Sequence, residues 1–166
     1  MSLATKKYDT GYKKKIDTHR DTFLPRQSPK GIIQCAGCGI YYYRRHWSLD
    51  APAGITIPVR PHPVYCPACR KIQERCASGE LHIAGLKAAE RGEVLRLLRN
   101  QEVQARQKNP LERIMSVRDV KTGWKLTLTT EKLAQRLGRS LRKARGGRLD
   151  YKWSHNNKFV RINWEK

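Results

Sequence analysis

Two Cys-x-x-Cys pairs, Cys35-Ala-Gly-Cys38 and Cys66-Pro-Ala-Cys69, constrain this chain more than any other feature, because they decide how its first half can be held together. The stretch 31–79 that contains them is too short to bury enough apolar surface to fold unaided. A Cys-x-x-Cys turn brings two sulfurs into one tight loop, and two such turns supply the four soft ligands of a tetrahedral zinc site. Cys35, Cys38, Cys66 and Cys69 are therefore expected to hold one structural Zn2+, and 31–79 is expected to fold only with it. The 27 residues between Cys38 and Cys66 exceed the roughly 15–20 of the commonest two-pair pattern, so the segment APAGITIPVRPHPVY must form a long excursion. A redox dithiol needs only one pair, ordinarily at a helix start after a strand, and two knuckle-like pairs do not suit it. Cys76 is left over and reads as a half-buried thiol outside the metal site.

The charge balance points to a partner. Lys and Arg number 35 against 14 acidic residues, a formal net charge of +21. Such an excess opposes compaction of an isolated protein and suits a polyanion, with nucleic acid ahead of an anionic membrane surface. No apolar run approaches the roughly 18 residues that span a bilayer, and the first residues lack the apolar centre of a secretory signal. The expected location is cytoplasmic, where thiols stay reduced.

Four segments follow along the chain. Residues 1–30 hold eight Lys/Arg and three Asp with almost no apolar periodicity, and read as a basic tail, disordered when free, whose Lys6, Lys7, Lys13, Lys14 and Lys15 are candidate RNA contacts. Residues 31–79 form the zinc ribbon. Residues 80–109 read as a connection in which LHI is a short extended piece and a helix runs from about Leu86 to Gln107, stopped by Asn109-Pro110. Residues 110–166 carry the pattern ββαββ. Strands are expected at RIMSVRDV, GWKLTLTT, RLDYKW and FVRINW, with a helix over 131–145 capped by Thr130 and ended by Gly146-Gly147. Overall, the fold expected is α+β: a four-cysteine ribbon, a helix, and an antiparallel sheet covered on one face by a helix.

Two places look suited to nucleic acid. In IYYYRRHW, period-two alternation sends Tyr41, Tyr43, Arg45 and Trp47 to a buried face and Ile40, Tyr42, Arg44 and His46 to an exposed one. Tyr42, Arg44 and His46 then offer base stacking and phosphate contact, with the Arg45 head reaching solvent along its stem. On the helix 131–145, Lys132, Arg136, Arg139 and Lys143 fall at i, i+4, i+7 and i+11, with Arg142 and Arg145 extending the positive surface. A solvated helix face ordinarily mixes signs; a ladder of one sign can follow a phosphate backbone.

Catalytic signatures are missing. There is no phosphate-binding Gly-x-x-x-x-Gly-Lys-Ser/Thr loop, no Gly-x-Ser-x-Gly elbow and no His-Glu-x-x-His helix. The His-x-Glu of a zinc deaminase does not precede the cysteine pairs. The expectation is a protein that is not an enzyme and takes no small-molecule substrate.

The motifs CAGCG, YCPACRKI, NPLERIM, TTEKLAQRLGRSL and FVRINW, in this order, resemble a family of short prokaryotic double-Cys-x-x-Cys proteins. The zinc region of that family is similar to the N-terminal part of the eukaryotic large-subunit export adaptor of the nonsense-mediated-decay-protein-3 type. The resemblance covers residues 31–166. It implies zinc on Cys35, Cys38, Cys66 and Cys69 and a large-ribosomal-subunit surface as partner. The adaptor is far longer and has further cysteine pairs and transport signals that are missing here, so nuclear export is not implied. The reading that emerges is a zinc protein that binds the ribosome through its rRNA, in hibernation, assembly or quality control, without a membrane partner. A zinc-ribbon DNA-binding regulator is the alternative, and a protein-interaction adaptor a third possibility. RNA is preferred because no recognition helix of a known DNA-binding type is evident.

Overall fold

The computed structural model describes Phe23 and residues 31–54, 56–57, 63–154 and 158–166. The tail lysines Lys6, Lys7, Lys13, Lys14 and Lys15 lie outside the described residues.

Two hydrophobic centres organise the rest. The first belongs to the cysteine pairs. Strands β1 (Ile33–Gln34), β2 (Tyr41–Tyr43) and β3 (His46–Ser48) form a small antiparallel meander, followed by helix α1 (Pro67–Gln73). Ile33, Ile40, Tyr42, Trp47 and Ala68 pack with the cysteines. Proline at the first position and the Cys66 side chain at the N-cap start α1 where backbone N–H groups would otherwise lack partners.

The second centre lies in a five-stranded sheet. Strand β4 (Gly79–Ala84) is followed by a short 3-10 turn, Ala88–Glu90, and helix α2 (Arg91–Lys108). Then come β5 (Ile114–Val120), β6 (Gly123–Leu128), α3 (Glu131–Arg145), β7 (Arg148–Trp153) and β8 (Val160–Glu165). The strand order is β5-β6-β4-β8-β7. The expected α+β class, the ββαββ order and the helix over 131–145 are all present. Thr130 caps α3 by accepting from the Leu133 N–H at 3.2 Å, and Gly146 ends it at φ 71°.

The sheet differs from expectation at its centre, where it is mixed rather than wholly antiparallel, and in being covered by two helices rather than one. The segment LHI is the middle of β4, the central strand, paired antiparallel with β6 and parallel with β8. Its Leu81 and Ile83 alternate inward toward the helices beside Trp124, Leu126 and Leu128 of β6 and Val160, Ile162 and Trp164 of β8. Both helices cover this face: Val94 and Leu98 of α2 and Leu133, Leu137 and Leu141 of α3 share one core. Gly123 is required at the start of β6, since a Cβ there would lie 1.9 Å from the Ile83 carbonyl oxygen and φ is 142°.

On the other face, β4 places a buried carboxylate. Glu80 accepts from Arg161 Nε at 2.9 Å, pairs with Lys125 Nζ at 2.5 Å and lies 3.3 Å from His82 Nε2. Burial alone would raise its carboxyl, but the hydrogen bonds from Lys125, Arg161 and His82 outweigh it and hold the pKa at about 2. A depressed carboxyl contributes stability that is complete above its unfolded value, near 4.5, and is lost as pH falls toward 2. Glu80→Gln should therefore cost about 2 kcal/mol at neutral pH. In urea unfolding that deficit should shrink progressively below pH 4.5 and vanish near pH 2. A deficit independent of pH would mean that packing, not charge, is what Glu80 contributes.

Candidate metal centre and nucleic-acid interface

The sulfurs of Cys35, Cys38, Cys66 and Cys69 all lie within 4.8 Å of one another, and this cluster can hold a metal ion. Three kinds of local structure bring them together. The first pair follows β1 in a turn closed by the Gly39 N–H to the Cys35 carbonyl at 2.9 Å and the Cys35 N–H to the Ile40 carbonyl at 2.8 Å. The second pair straddles the start of α1, where the Cys69 N–H donates to the Cys66 sulfur at 3.3 Å. The two turns are joined by the Cys66 N–H donating to the Cys35 sulfur at 3.2 Å. Gly37 leaves room for this approach, since a Cβ there would meet Cys69 Sγ at 3.0 Å.

The donor set suits a tetrahedral ion. With metal–sulfur bonds of about 2.3 Å, the edge of a tetrahedron of thiolates is about 3.8 Å. Cys38 Sγ and Cys66 Sγ are 3.7 Å apart, and all five cysteines are free rather than disulfide-bonded. Protonation chemistry points the same way. Burial tends to raise the Cys35 thiol, yet N–H groups of Cys66, Gly37 and Cys38 bring it down to about 7. Burial pushes Cys66 up strongly and Cys69 to about 11, reinforced by the neighbouring sulfurs. Four thiolates cannot share this site without a cation among them, so metal uptake must release protons.

The second pair does open a helix, which the sequence argument reserved for redox dithiols. What separates it from a dithiol is the convergence of four sulfurs instead of two. Cys76 is exposed, not half-buried as expected, and stands apart from the cluster. Cys76→Ser should leave the metal content of the purified protein unchanged; a fall would mean that the ligand set is not Cys35, Cys38, Cys66 and Cys69.

Two residues of the cluster's surroundings escaped the sequence argument. Arg113, just before β5, donates to Cys69 Sγ at 3.4 Å from 44 positions away. No spacing rule signals such a contact. Phe23 is buried, with the Arg70 guanidinium 5.5 Å and the Lys71 ammonium 5.4 Å from its ring centre. The segment 1–30, read as a tail without core residues, thus contributes one.

The hairpin overturns the expected exposure of Tyr42. Tyr42 is buried, together with Ile40 and Trp47, while Tyr41 and Tyr43 are half-buried and Arg44, Arg45 and His46 are exposed. Alternation holds along β2 but restarts after the two-residue turn. There Tyr42 faces Trp47 directly across the pair, with ring centres 5.1 Å apart. The tyrosine expected to stack a base is a core residue, and Tyr42 is withdrawn as an RNA contact.

At the turn itself, Arg44 and Arg45 adopt φ values of 48° and 66°. A two-residue turn with both φ positive matches the twist of a hairpin, but it favours Asn-Gly. A residue with a Cβ in this region costs about 1 kcal/mol or more.

Helix α3 sets Lys132, Arg136, Arg139 and Lys143 on a face adjacent to its buried Leu133, Leu137 and Leu141. Lys132, Arg139, Arg142 and Lys143 are exposed, and among the described residues none of them forms a salt bridge. Two members differ from expectation. Arg145 turns toward α2, paired with Glu93 and 3.8 Å from Glu90, so it is not a free cation. Arg136 is half-buried and its charge acts on the buried Glu112. Burial raises the Glu112 carboxyl, and the charges of Arg136 and Lys132 oppose the rise.

No helix among the described residues is long and apolar enough to cross a membrane. No family model, no curated protein and no solved structure matches this chain.

Proposed function

We propose that this is a zinc-stabilised, non-enzymatic protein that binds the ribosome through its rRNA. The observation that carries this reading is the exposed row Lys132, Arg139 and Lys143 along α3, flanked by Arg142, none of which forms a salt bridge among the described residues. Lys132 and Arg139 stand about two helical turns apart, about 10 Å along the axis, and Arg139 and Lys143 about one turn, about 6 Å, so the row can follow a line of phosphates along a strand. A net charge of +21 supplies long-range attraction to the same kind of partner.

Zinc is the ion proposed for the cysteine cluster. Four thiolates in a closed site are its preferred structural environment, and the 3.7 Å sulfur separation fits its bond length. The resemblance to short double-Cys-x-x-Cys proteins and to the ribosomal export adaptor's zinc region supports the large subunit as the docking surface. Hibernation, assembly and quality control are all roles that such binding would serve.

The decisive experiment is sedimentation of the tagged protein through sucrose gradients, from growing and from starved cells. Co-migration with ribosomal particles that is lost at high salt is expected. Binding to duplex DNA with strong sequence preference, and none to ribosomes, would replace this reading with a DNA-binding regulator.

A further inference from the structure

We infer that the Arg44–Arg45 turn is a stacking tip that selects an unpaired base in a loop or bulge of structured RNA. This rests on the RNA-binding reading above and specifies how that binding discriminates.

Three observations converge on the tip. The turn forces two arginines into left-handed backbone, φ 48° and 66°, where Asn-Gly would sit without strain. Backbone strain of this kind persists where the surroundings fix it, and it collects at binding sites. Here the surroundings are firm: Tyr42 and Trp47 pack against each other at 5.1 Å behind the tip, and β2 pairs on its other side with β1, which leads into Cys35.

The second observation is what the tip displays. The Arg44 guanidinium lies over the Tyr43 ring at 5.1 Å, and His46 is paired with Tyr43 across the hairpin. A guanidinium plane stacked on a ring, with its outer surface exposed, extends an aromatic stack into solvent. Every base presents a complementary π face. The third is charge. Among the described residues Arg44 and Arg45 have no acidic partner, so a phosphate next to the stacked base meets an unneutralised Arg45.

These features fit an unpaired base better than a duplex. Bases in a duplex are stacked on one another, and the deep, narrow major groove of A-form RNA does not admit side chains to base edges. A splayed base in a loop or bulge offers both a free face and a flexible backbone that can bring its phosphate to Arg45.

The test compares a bulged RNA hairpin with a perfect RNA duplex of equal length, using the full-length, zinc-loaded protein. The wild type should prefer the bulged RNA by roughly tenfold, the scale of one stacked base. Arg44→Asn combined with Arg45→Gly should abolish that preference while raising the melting temperature by about 2–4 °C, because strain is relieved. Arg44→Lys keeps the charge but not the plane, and should also lose the preference. Charge reversal on α3 should weaken both RNAs and leave the preference intact.

If the wild type binds neither RNA, the RNA-binding reading falls and this inference with it. If the wild type binds both equally, or if either tip variant keeps the preference, the tip is not a stacking site although RNA binding stands. A double variant that melts at a lower temperature than the wild type would overturn the argument from strain.

Discussion

Cys66→Ser should empty the metal site and unfold β1, β2, β3 and α1, while the sheet built from β4 to β8 keeps its core. Cys66 is fully buried, caps α1, bonds Cys35 through its N–H and approaches Cys38. Serine retains a cap but offers a hard oxygen in place of a thiolate. Loss of an outer partner of a metal ligand costs about 10–100-fold in affinity, and loss of the ligand itself should exceed that range. The free energy at stake is large, since structural zinc contributes about 10–16 kcal/mol to small zinc folds. Metal analysis should find about one zinc per wild-type chain, a closed four-ligand site, and far less in the variant. Amide exchange should accelerate across β1, β2, β3 and α1 and stay slow in β4, β6 and β8. A ribbon that remains protected without metal would show that its apolar cluster suffices and would end the structural-zinc reading. Acid should act in the same direction as the mutation, because thiolates reclaim protons as pH falls and release the ion.

The other large effect is expected from Lys132→Glu, Arg139→Glu and Lys143→Glu together. Arg136 is left intact because it is half-buried and its charge acts on buried Glu112 more strongly than that of exposed Lys132. The three chosen side chains are exposed and the substitutions leave the buried Leu133, Leu137 and Leu141 unchanged, so the helix should persist. Dipole effects nearly cancel, since a new acid suits the first turn at 132 and is unfavourable near the end at 143. RNA affinity should drop by roughly 100-fold whatever the RNA sequence, and the plot of log affinity against log salt should become shallower by about 2–3 units. An unchanged slope would make the row a solvated face and shift the contact to the hairpin or to residues 1–30.

Several parts of this architecture follow from local chemistry. Helix α3 has a leucine every fourth position, a Thr cap and a terminal glycine, so sequence and structure agree on Glu131–Arg145. Strand β6 alternates Trp124, Leu126 and Leu128 without interruption, and the cysteine pairs announce their own convergence. What stayed hidden depends on partners distant in sequence. Strand β4 carries only Leu81 and Ile83 as inward residues beside Gly79, Glu80 and His82. Its central place is decided by β6 and β8, which supply Lys125 and Arg161 to its carboxylate. Tyr42 was misassigned because period-two counting runs straight through a sequence, while a two-residue turn folds the count back on itself and places Tyr42 opposite Trp47. The Arg113 contact to Cys69 is set by where β5 begins relative to α1.

That contact has company. Lys71 of α1 is buried and donates to Ser78 Oγ at 3.0 Å and to the Thr129 carbonyl at 3.3 Å, and Leu111 packs among the ribbon's apolar residues. The ribbon is therefore moored to the sheet at points close to Cys69. A cation held by those sulfurs and the seating of the ribbon on the sheet form one linked equilibrium, and linkage is reciprocal. Whatever tightens the grip of the sheet on Arg113 or Lys71 makes the ion harder to extract. By the same token, an ion that leaves loosens the angle between the hairpin tip and α3, the two surfaces that would have to meet one RNA at once. Metal availability would then act as a control on geometry, with folding of the ribbon as its most visible sign.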